Sequence, residues 1–435
     1  MTDFLTTPLE TITNFTKSYH DLFKDQRLRK GFDATITGIL SSGTTKVSQI
    51  ARAAPQTTHV PHAEKRVRRL IRKGNKRGQV SAADINQKFL ELGSKKLAHQ
   101  LEVRVILDGS DLRKPYSTDL EFLSTVRALD GDLIPGYCTL NAFAFTNTEI
   151  QTLLYHKTFS PQNPSFKSER DEVHTAILEI STALRAAGVG RITWILDRGF
   201  DDEKVIAWIL ERHDCFIIRA QHNRNVNLEF AGKQHKLFST LQKQNTLGTI
   251  QIKRPTLESG KPKKRLSTAN TRTLTCWVNN QHLINVVGLE FLGGKQGDLG
   301  WVLLTNLPVE SLEQAQHVIA LYVLRWSIEE VFAWMKTTLD WEAVQVLDFE
   351  AVRTLVAYAF IAAVFVFELM EGVEPRVIRF LAYLGGWVPR VGVKPGRKVL
   401  TLGLQRFFSS LLVASLSGSM QFVNNVEHGN IHDRE

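Results

Sequence analysis

The period of the apolar positions changes twice along the chain. Over residues 1–100 they recur at three- and four-residue spacing, which predicts helices near 9–30, 45–53, 61–74 and 81–98 and no strand. From Leu101 the spacing shortens. LEVRVILDGS predicts a strand ending in Asp108, and YCTLNAFAF (137–145) a second. A helix around 168–188, the strand RITWILDRGF ending in Asp197, a helix over DDEKVIAWILERH and the strand CFIIRAQ (215–221) follow. Residues 222–300 alternate apolar and polar stretches (LGTIQIKRP, TLTCWVNN, LINVVGLEFL) between the turn-like ESGKPKK and GGKQGD, a β-rich unit. WVLLTNLP (301–308) predicts a buried strand. The helical period then returns, with one long helix over 311–340 and helical, apolar sequence to about 385. Thr354–Met370 is apolar almost throughout, but it falls short of the ~20 residues that cross a bilayer and carries Glu368 near its end; it is expected to be a buried helix, with no membrane partner.

This order predicts a multidomain α+β chain. The expected parts are a helical region over 1–100, a mixed α/β domain from 101–221 and 301–345, a β-rich insertion at 222–300 between its halves, and a helical region over 346–435. At 435 residues, 43% apolar and 23% charged, the chain can bury a sizeable core and is not of disordered composition. The scattered Cys138, Cys215 and Cys276 form no CxxC, which argues against a disulfide framework or zinc site and suits a reducing cytoplasm.

Charge sharpens the division. Residues 1–100 hold 18 Lys+Arg against 8 Asp+Glu, and the remainder holds 36 of each, so the whole excess of +10 lies in the first quarter. It is densest in HAEKRVRRLIRKGNKRG, where Val67, Leu70 and Ile71 form an apolar stripe among cations including Arg66, Arg69, Arg72 and Lys73. Eight cations over residues 65–77 with no acid among them repel one another unless an anion neutralises them. Nucleic-acid phosphate is the natural partner, with a solvated basic helix as the alternative.

The helix over 311–340 carries the candidate chemistry. On a ~100°-per-residue wheel Tyr322, Arg325, Glu329 and Lys336 fall within about 60° of one another, while Leu324, Ile328, Val331 and Met335 form a separate apolar face. Glu330 lies off the polar face. A carboxylate, two cations and a phenol on one face suit metal and phosphate. A pair of divalent cations clamping a phosphodiester needs carboxylates from distant parts of the chain, and Asp108 and Asp197 stand where strands of open sheets place their sites. Either aspartate alone reads equally as a turn former or helix cap. Asp111 ranks behind Asp108, and Asp201 and Asp202 read as the first turn of the next helix.

The motifs LDGSDL, WILDRGF and Y-x2-R-x3-E-x6-K together resemble the Asp–Asp–Glu transposases of the insertion-sequence-four type, the class marked by Tyr-Arg-Glu-Lys, over roughly residues 30–400. The resemblance implies a ribonuclease-H-like catalytic domain interrupted by a β-rich insertion. It implies Asp108, Asp197 and Glu329 as the catalytic triad holding two Mg2+ ions (Mn2+ substituting), and Tyr322, Arg325 and Lys336 as grips on the phosphates of a transposon end. The activity implied is cut-and-paste transposition of an insertion sequence: cleavage and strand transfer at terminal inverted repeats of double-stranded DNA, by a homodimer, in the cytoplasm at the nucleoid. By the same resemblance Trp301 receives a flipped base and Arg219 contacts DNA, though a core tryptophan and an ordinary exposed arginine read equally well. Arg198 either meets phosphate or pairs with an acid. A related metal-dependent nuclease and an inactive DNA-binding derivative are the alternative functions.

Overall fold

The computed structural model describes residues 2–53, 59–72, 80–127, 131–146, 149, 151–258, 261–293, 298–372, 374–388 and 393–429, with 2–7, 255–258, 261–264 and 414–429 as backbone only. The chain opens with helices α1 (Thr2–Lys17), α2 (Gln26–Ser42), α3 (Val47–Ala53), α4 (Val60–Ile71) and α5 (Ala82–Lys96). The sequence pattern leaves most of α2 unread, because FDATITGILSS is rich in Gly, Thr and Ser. Capping and burial override that weak propensity: the Asp25 side chain accepts the Arg27 N–H, Gly43 closes the helix at φ 65°, and Phe32, Ile36, Ile39 and Leu40 are fully buried.

A single mixed sheet follows, built from β1 (Glu102–Arg113), β2 (Ser124–Arg127), β3 (Leu133–Phe145), β4 (Thr152–Phe159), β5 (Arg191–Leu196), β6 (Cys215–Arg219), β7 (Asn225–Asn227), β8 (Gln234–Lys236), β9 (Thr246–Glu258), β10 (Lys261–Val278), β11 (His282–Phe291) and β12 (Leu299–Thr305). Its order is β2-β3-β1-β5-β6-β12-β11-β10-β7-β8, with β4 on β3 and β9 on β10. Among the described strands, β1, β5 and β6 run parallel to one another, with α6 (Glu169–Ala186) leading into β5 and α7 (Glu203–Glu211) joining β5 to β6; the other pairings are antiparallel. Short α8 (Leu237–Gln242) precedes β9. The β-rich segment read at 222–300 continues this sheet, its strands reaching the parallel centre through the β12–β6 ladder at Leu303↔Arg219.

The chain then forms α9 (Leu312–Val323), α10 (Trp326–Trp334), α11 (Phe349–Gly372), α12 (Pro375–Leu384) and α13 (Arg397–Gly429). The continuous helix expected over 311–340 is therefore two helices and a π turn at Met335–Leu339. At the break, the amides of Leu324, Arg325, Ser327 and Ile328 donate to carbonyls three residues back, tightening the helix so that an ideal wheel no longer describes it. The turn after the π segment is tied to the N-terminal helices: Asp340, at φ 43°, accepts from Thr44 Oγ1 (3.1 Å) through its side chain and from Thr45 Oγ1 (3.0 Å) through its carbonyl.

Alternation along each strand sends side chains to opposite faces, and the two faces have separate cores. Val105, Leu107, Trp194, Leu196 and Ile218 pack beneath α6 and α7. Ile106, Phe143, Ile195, Ile217 and Leu303 face the N-terminal helices, α9, α10 and the centre of the all-helical layer, α11. The apolar stretch of α11 is 89% buried in that layer, its aromatic residues packing edge-on or tilted against the N-terminal helices (Phe32–Tyr358 5.6 Å, Phe15–Phe365 5.3 Å).

Candidate active site

The parallel ladder between β1 and β5 ends at Leu107↔Leu196, so Asp108 and Asp197 occupy the next position on each strand. Neighbouring strands lie ~4.8 Å apart, and two-residue alternation from Ile106 and Ile195 puts both carboxylates on the face that α9 and α10 cover. Asp197 stands at the end of its strand, as the sequence implies. Asp108 does not: β1 runs on to Arg113, because β3 keeps pairing with it through Arg113↔Gly136 after β5 has turned away. The aspartate marks the end of the parallel pairing rather than the end of the strand.

The α9–α10 break aims Arg325 into the sheet. Its residue is 3% exposed; Nη1 donates to Asp108 Oδ2 (3.1 Å) and Nη2 to Glu329 Oε1 (2.7 Å), while Nε is buried without a hydrogen-bond partner. One guanidinium thus joins Asp108 to Glu329, whose side chain remains 45% exposed. Tyr322, 1% exposed, brings its hydroxyl to 3.5 Å from Asp197 Oδ1, the outer limit of a hydrogen bond. Backbone amides complete the fixation: Gly109 N–H donates to Asp108 Oδ1 (2.9 Å) and Arg198 N–H to Asp197 Oδ1 (2.7 Å).

The electrostatics show a shortage of positive charge. Burial, opposed by Arg325 and reinforced by Asp197 and Glu329, pushes the Asp108 carboxyl up to about 7. Burial disfavours the Arg325 charge, yet Tyr322, Asp197, Asp108 and Glu329 together hold it above its ordinary value. Burial pushes the Tyr322 phenol up to about 12. A divalent cation would answer this imbalance, and the donors are the hard carboxylate oxygens that Mg2+ prefers. Asp108 and Asp197, side by side, suit such an ion. Among the described residues no three acidic or imidazole groups yet surround one point; Arg325 stands between Asp108 and Glu329.

Other sequence candidates are placed differently. Lys336, in the π turn, turns back toward the protein, its ammonium 3.1 Å from the Asp111 carbonyl and 3.3 Å from Glu342 Oε1. Asp111 is raised by burial and lowered by Lys336, and alternation places it on the opposite sheet face from Asp108. Asp202 caps α7 through the Lys204 N–H, whereas Asp201 is buried and paired with Arg224 (3.2 Å). Trp301 is 5% exposed, edge-on to Phe291 (5.7 Å) and Tyr322 (5.4 Å). Arg219 is half-buried, donating to the Gly300 carbonyl (3.2 Å) on the Tyr322 side of the sheet. Arg198 is exposed beside Asp197. On α4, Val67, Leu70 and Ile71 are buried, Arg69 and Arg72 exposed, and Arg66 half-buried with its stem alongside Gly31; Lys73 lies outside the described residues. Glu330 is exposed.

The sequence missed the support behind Lys336. Lys114 is 5% exposed, and its ammonium donates to the carbonyls of Glu342 and Val344 (2.6 Å to the latter); burial lowers it to about 8. A lone lysine after a strand gives no sequence signal of that anchoring.

Among solved structures, the cryo-EM structure of the piggyBac transposase synaptic complex with hairpin DNA is similar at 10% identity and a TM-score of 0.39, covering 72% of this chain and 54% of that one. This chain therefore spans about half of that relative's length, a likeness too remote to transfer residues. The sequence itself is matched over residues 99–365 by the family description of the transposase DDE domain, a stretch that begins just before β1 and contains Asp108, Asp197 and Glu329 together, and by that match the chain belongs to the transposase DDE-domain family.

Proposed function

We propose that the chain is a DNA transposase of the insertion-sequence-four type, acting by cut and paste at terminal inverted repeats. The observation that carries this reading is the placement of Asp108 and Asp197 at matching positions of adjacent parallel strands, with Glu329 drawn to Asp108 through Arg325. Five strands ordered β4-β3-β1-β5-β6, three antiparallel and then two parallel to β1, suit a ribonuclease-H-like domain.

Asp108, Asp197 and Glu329 would hold Mg2+, two ions in the full site. The metal supplies Lewis-acid polarisation of a phosphoryl oxygen and a lowered pKa for bound water. The protein's own groups prepare the site. The sheet fixes two carboxylates rigidly, the covering helices keep bulk water from Asp108, and Arg325 holds a fork that matches two phosphate oxygens once it leaves the carboxylates. Each chemical step is an in-line displacement at phosphorus: an incoming oxygen bonds to phosphorus, the opposite P–O bond breaks, and the departing 3′ oxygen takes up a proton. Water as attacker nicks the element's end. The freed 3′-OH attacks the opposite strand to give a hairpin, water reopens it, and the 3′-OH then attacks target DNA. The basic α4 region would hold the terminal repeats, and two ends require two copies of the chain.

The test uses the full-length protein, Mg2+ and linear DNA carrying the sequences that flank its gene. Cleavage at the repeat boundary and joining of pre-cut ends to a plasmid are expected, with both lost in Asp197→Asn while end binding persists. Cleavage without joining identifies a nuclease instead, and binding without either reaction identifies a DNA-binding derivative.

A further inference from the structure

A row of polar side chains crosses four adjacent strands on the face that carries the carboxylates. Asp197 follows β5 beside Asp108 of β1, Asp108 is the register partner of Asn141 on β3, and Asn141 is the register partner of His156 on β4. Directly opposed residues of an antiparallel pair share a face, their Cβ atoms about 5 Å apart. A bulge puts His156 in the row. Leu153 belongs to the core of Ile106 and Ile195, and strict alternation from it would send residue 156 to the opposite face. Instead the register slips between Ala142↔Tyr155 and Phe143↔Leu153, with Leu154 as the extra residue. Leu154 and Tyr155 both join the core beneath α6 and α7, and His156 returns to the Asp108 face, its ring stacked on Phe360 of α11 (3.9 Å).

The hydrogen bonds of this row can run in only one direction. The Ser110 carbonyl accepts from the Thr139 hydroxyl (2.9 Å), so Thr139 Oγ1 is left to accept from Asn141 Nδ2 (3.1 Å). The Asn141 amide oxygen lies 2.7 Å from His156 Nδ1 and can only accept, so Nδ1 carries the ring proton. Nε2 then accepts from the Thr158 hydroxyl (3.3 Å). All four side chains are buried, and burial, with Arg353 adding to it, presses the imidazole down to about 3, which keeps it neutral. The backbone N–H of His156 donates to Asn86 Oδ1 (2.8 Å), tying the bulge to α5. His156 thus fixes the amide of Asn141 end for end. The oxygen is held toward β4, and the nitrogen, with a second N–H, lies on the side of Thr139 and Ser110.

We propose that Asn141, oriented by His156, is a positioning residue for the metal site, its second amide N–H holding the Asp108 carboxylate once Arg325 turns to phosphate. The inference rests on the transposase reading, which supplies both the metal and the phosphate. In the DNA-free chain Arg325 Nη1 donates to Asp108 Oδ2 (3.1 Å) and the Gly109 amide to Oδ1 (2.9 Å). When Arg325 leaves, Oδ2 loses its donor, and the side chain directly across the ladder is Asn141. Carboxylates that hold a metal are themselves oriented by outer hydrogen bonds. A neutral amide can orient Asp108 without repelling a divalent cation, whereas a guanidinium in the same place opposes it. The buried histidine supplies the direction of that amide rather than a charge.

The test reads metal affinity rather than turnover. Mn2+ binding is followed by loss of the free-ion electron paramagnetic resonance signal, on full-length protein saturated with a pre-cut end duplex that terminates in a dideoxynucleotide and cannot react. Asp197→Asn sets the background. Asn141→Leu, and His156→Phe, which keeps a ring against Phe360, should each weaken the site-specific affinity about 10–100-fold, with DNA binding in EDTA at the parent level. His156→Asn, whose amide nitrogen falls where Nδ1 lies, should restore most of it. Thr158→Val, acting on the other ring nitrogen, should leave it unchanged. Asn141→Ser, too short to span from His156 to β1, should repeat the loss and serves if Asn141→Leu does not fold. Lower melting temperatures with unchanged Mn2+ affinity, or an equal loss from Thr158→Val, overturn the proposal. Binding lost in Asp197→Asn but kept in both Asn141 variants sinks this inference alone; binding equal in the parent and Asp197→Asn sinks the transposase reading and the inference with it.

Discussion

Two arginines that each pair with an inward-facing aspartate, half-buried Arg224 and buried Arg325, make the most instructive contrast in the molecule. Arg224 pairs with one carboxylate, Asp201, whose side chain is fully buried (3.2 Å) and whose second oxygen accepts the Gln221 N–H (2.7 Å). Arg325 is shared between Asp108 and Glu329, with Asp197 within its electrostatic reach. The first sets one cation against one paired acid, and burial raises the Asp201 carboxyl there too, against the pull of Arg224. The second leaves three acids on one cation, and one of them, Asp108, is pushed up to about 7. Acids whose charge is matched inside the protein are structural. Acids collected in excess of their cation await one from outside, and perturbed carboxyls of this kind cluster at functional sites.

The largest effect that can break this contrast is on chemistry. Asp197→Asn and Glu329→Gln should each lower Mg2+-dependent DNA cleavage more than about 100-fold, beyond the loss typical of residues that only support a metal ligand. Asp201→Asn should reduce it only in proportion to folded protein. A comparable specific loss at Asp201 would erase the distinction.

Stability should respond in the reverse order. Asp201→Ala strands Arg224 in the interior and should cost about 3–5 kcal/mol by urea denaturation. Glu329→Gln breaks a bridge whose acid is 45% exposed and should cost less than about 1 kcal/mol.

A smaller effect concerns pH. The Asp108 carboxyl stands at about 7 in the folded chain against an ordinary 3.8, so the folded state binds the extra proton between those values. Its destabilising charge is absent below about pH 4 and fully present above about pH 7. Asp108→Asn should therefore raise metal-free stability at pH 8, by about 2–4 kcal/mol at the scale of 1.36 kcal/mol per pH unit, and the gain should vanish as the pH falls toward 4. A variant less stable than the parent at pH 8 would show that Arg325 already satisfies Asp108. The smallest expected change is Thr44→Val, which removes one bond to Asp340 and should cost about 1 kcal/mol.

The contrast also shows what a sequence discloses. Asp197 was legible because RITWIL is a short buried strand that ends at it. Asp108 was legible as a candidate but misplaced as a strand end, since the sequence cannot show that β3 continues pairing after β5 stops. The helical wheel brought Tyr322, Arg325 and Glu329 together, as the structure does, through a broken helix rather than an ideal one. It could not foresee Lys336 turning back to Asp111 and Glu342, because a π turn shifts the residues that follow it. The strands β2 and β4 escaped because STVR is short and LLYHKTF lacks clean alternation. Arg224 gave no sign at all: helix α7 and strand β6 separate it along the chain from its partner Asp201, and the fold brings the two together.

Glu329 and Glu330 are neighbours on α10 with the same chemistry; Glu329 pairs with the Arg325 that also holds Asp108, whereas Glu330 acts electrostatically on Arg397. Strand cleavage by Glu329→Gln and Glu330→Gln, measured side by side with Mg2+ on DNA carrying the flanking repeats, is the most direct test that Asp108, Asp197 and Glu329 form one site. Glu329→Gln should be inactive at normal DNA binding, with Glu330→Gln close to the parent. An active Glu329→Gln protein, or an inactive Glu330→Gln one that still folds and binds, would contradict it.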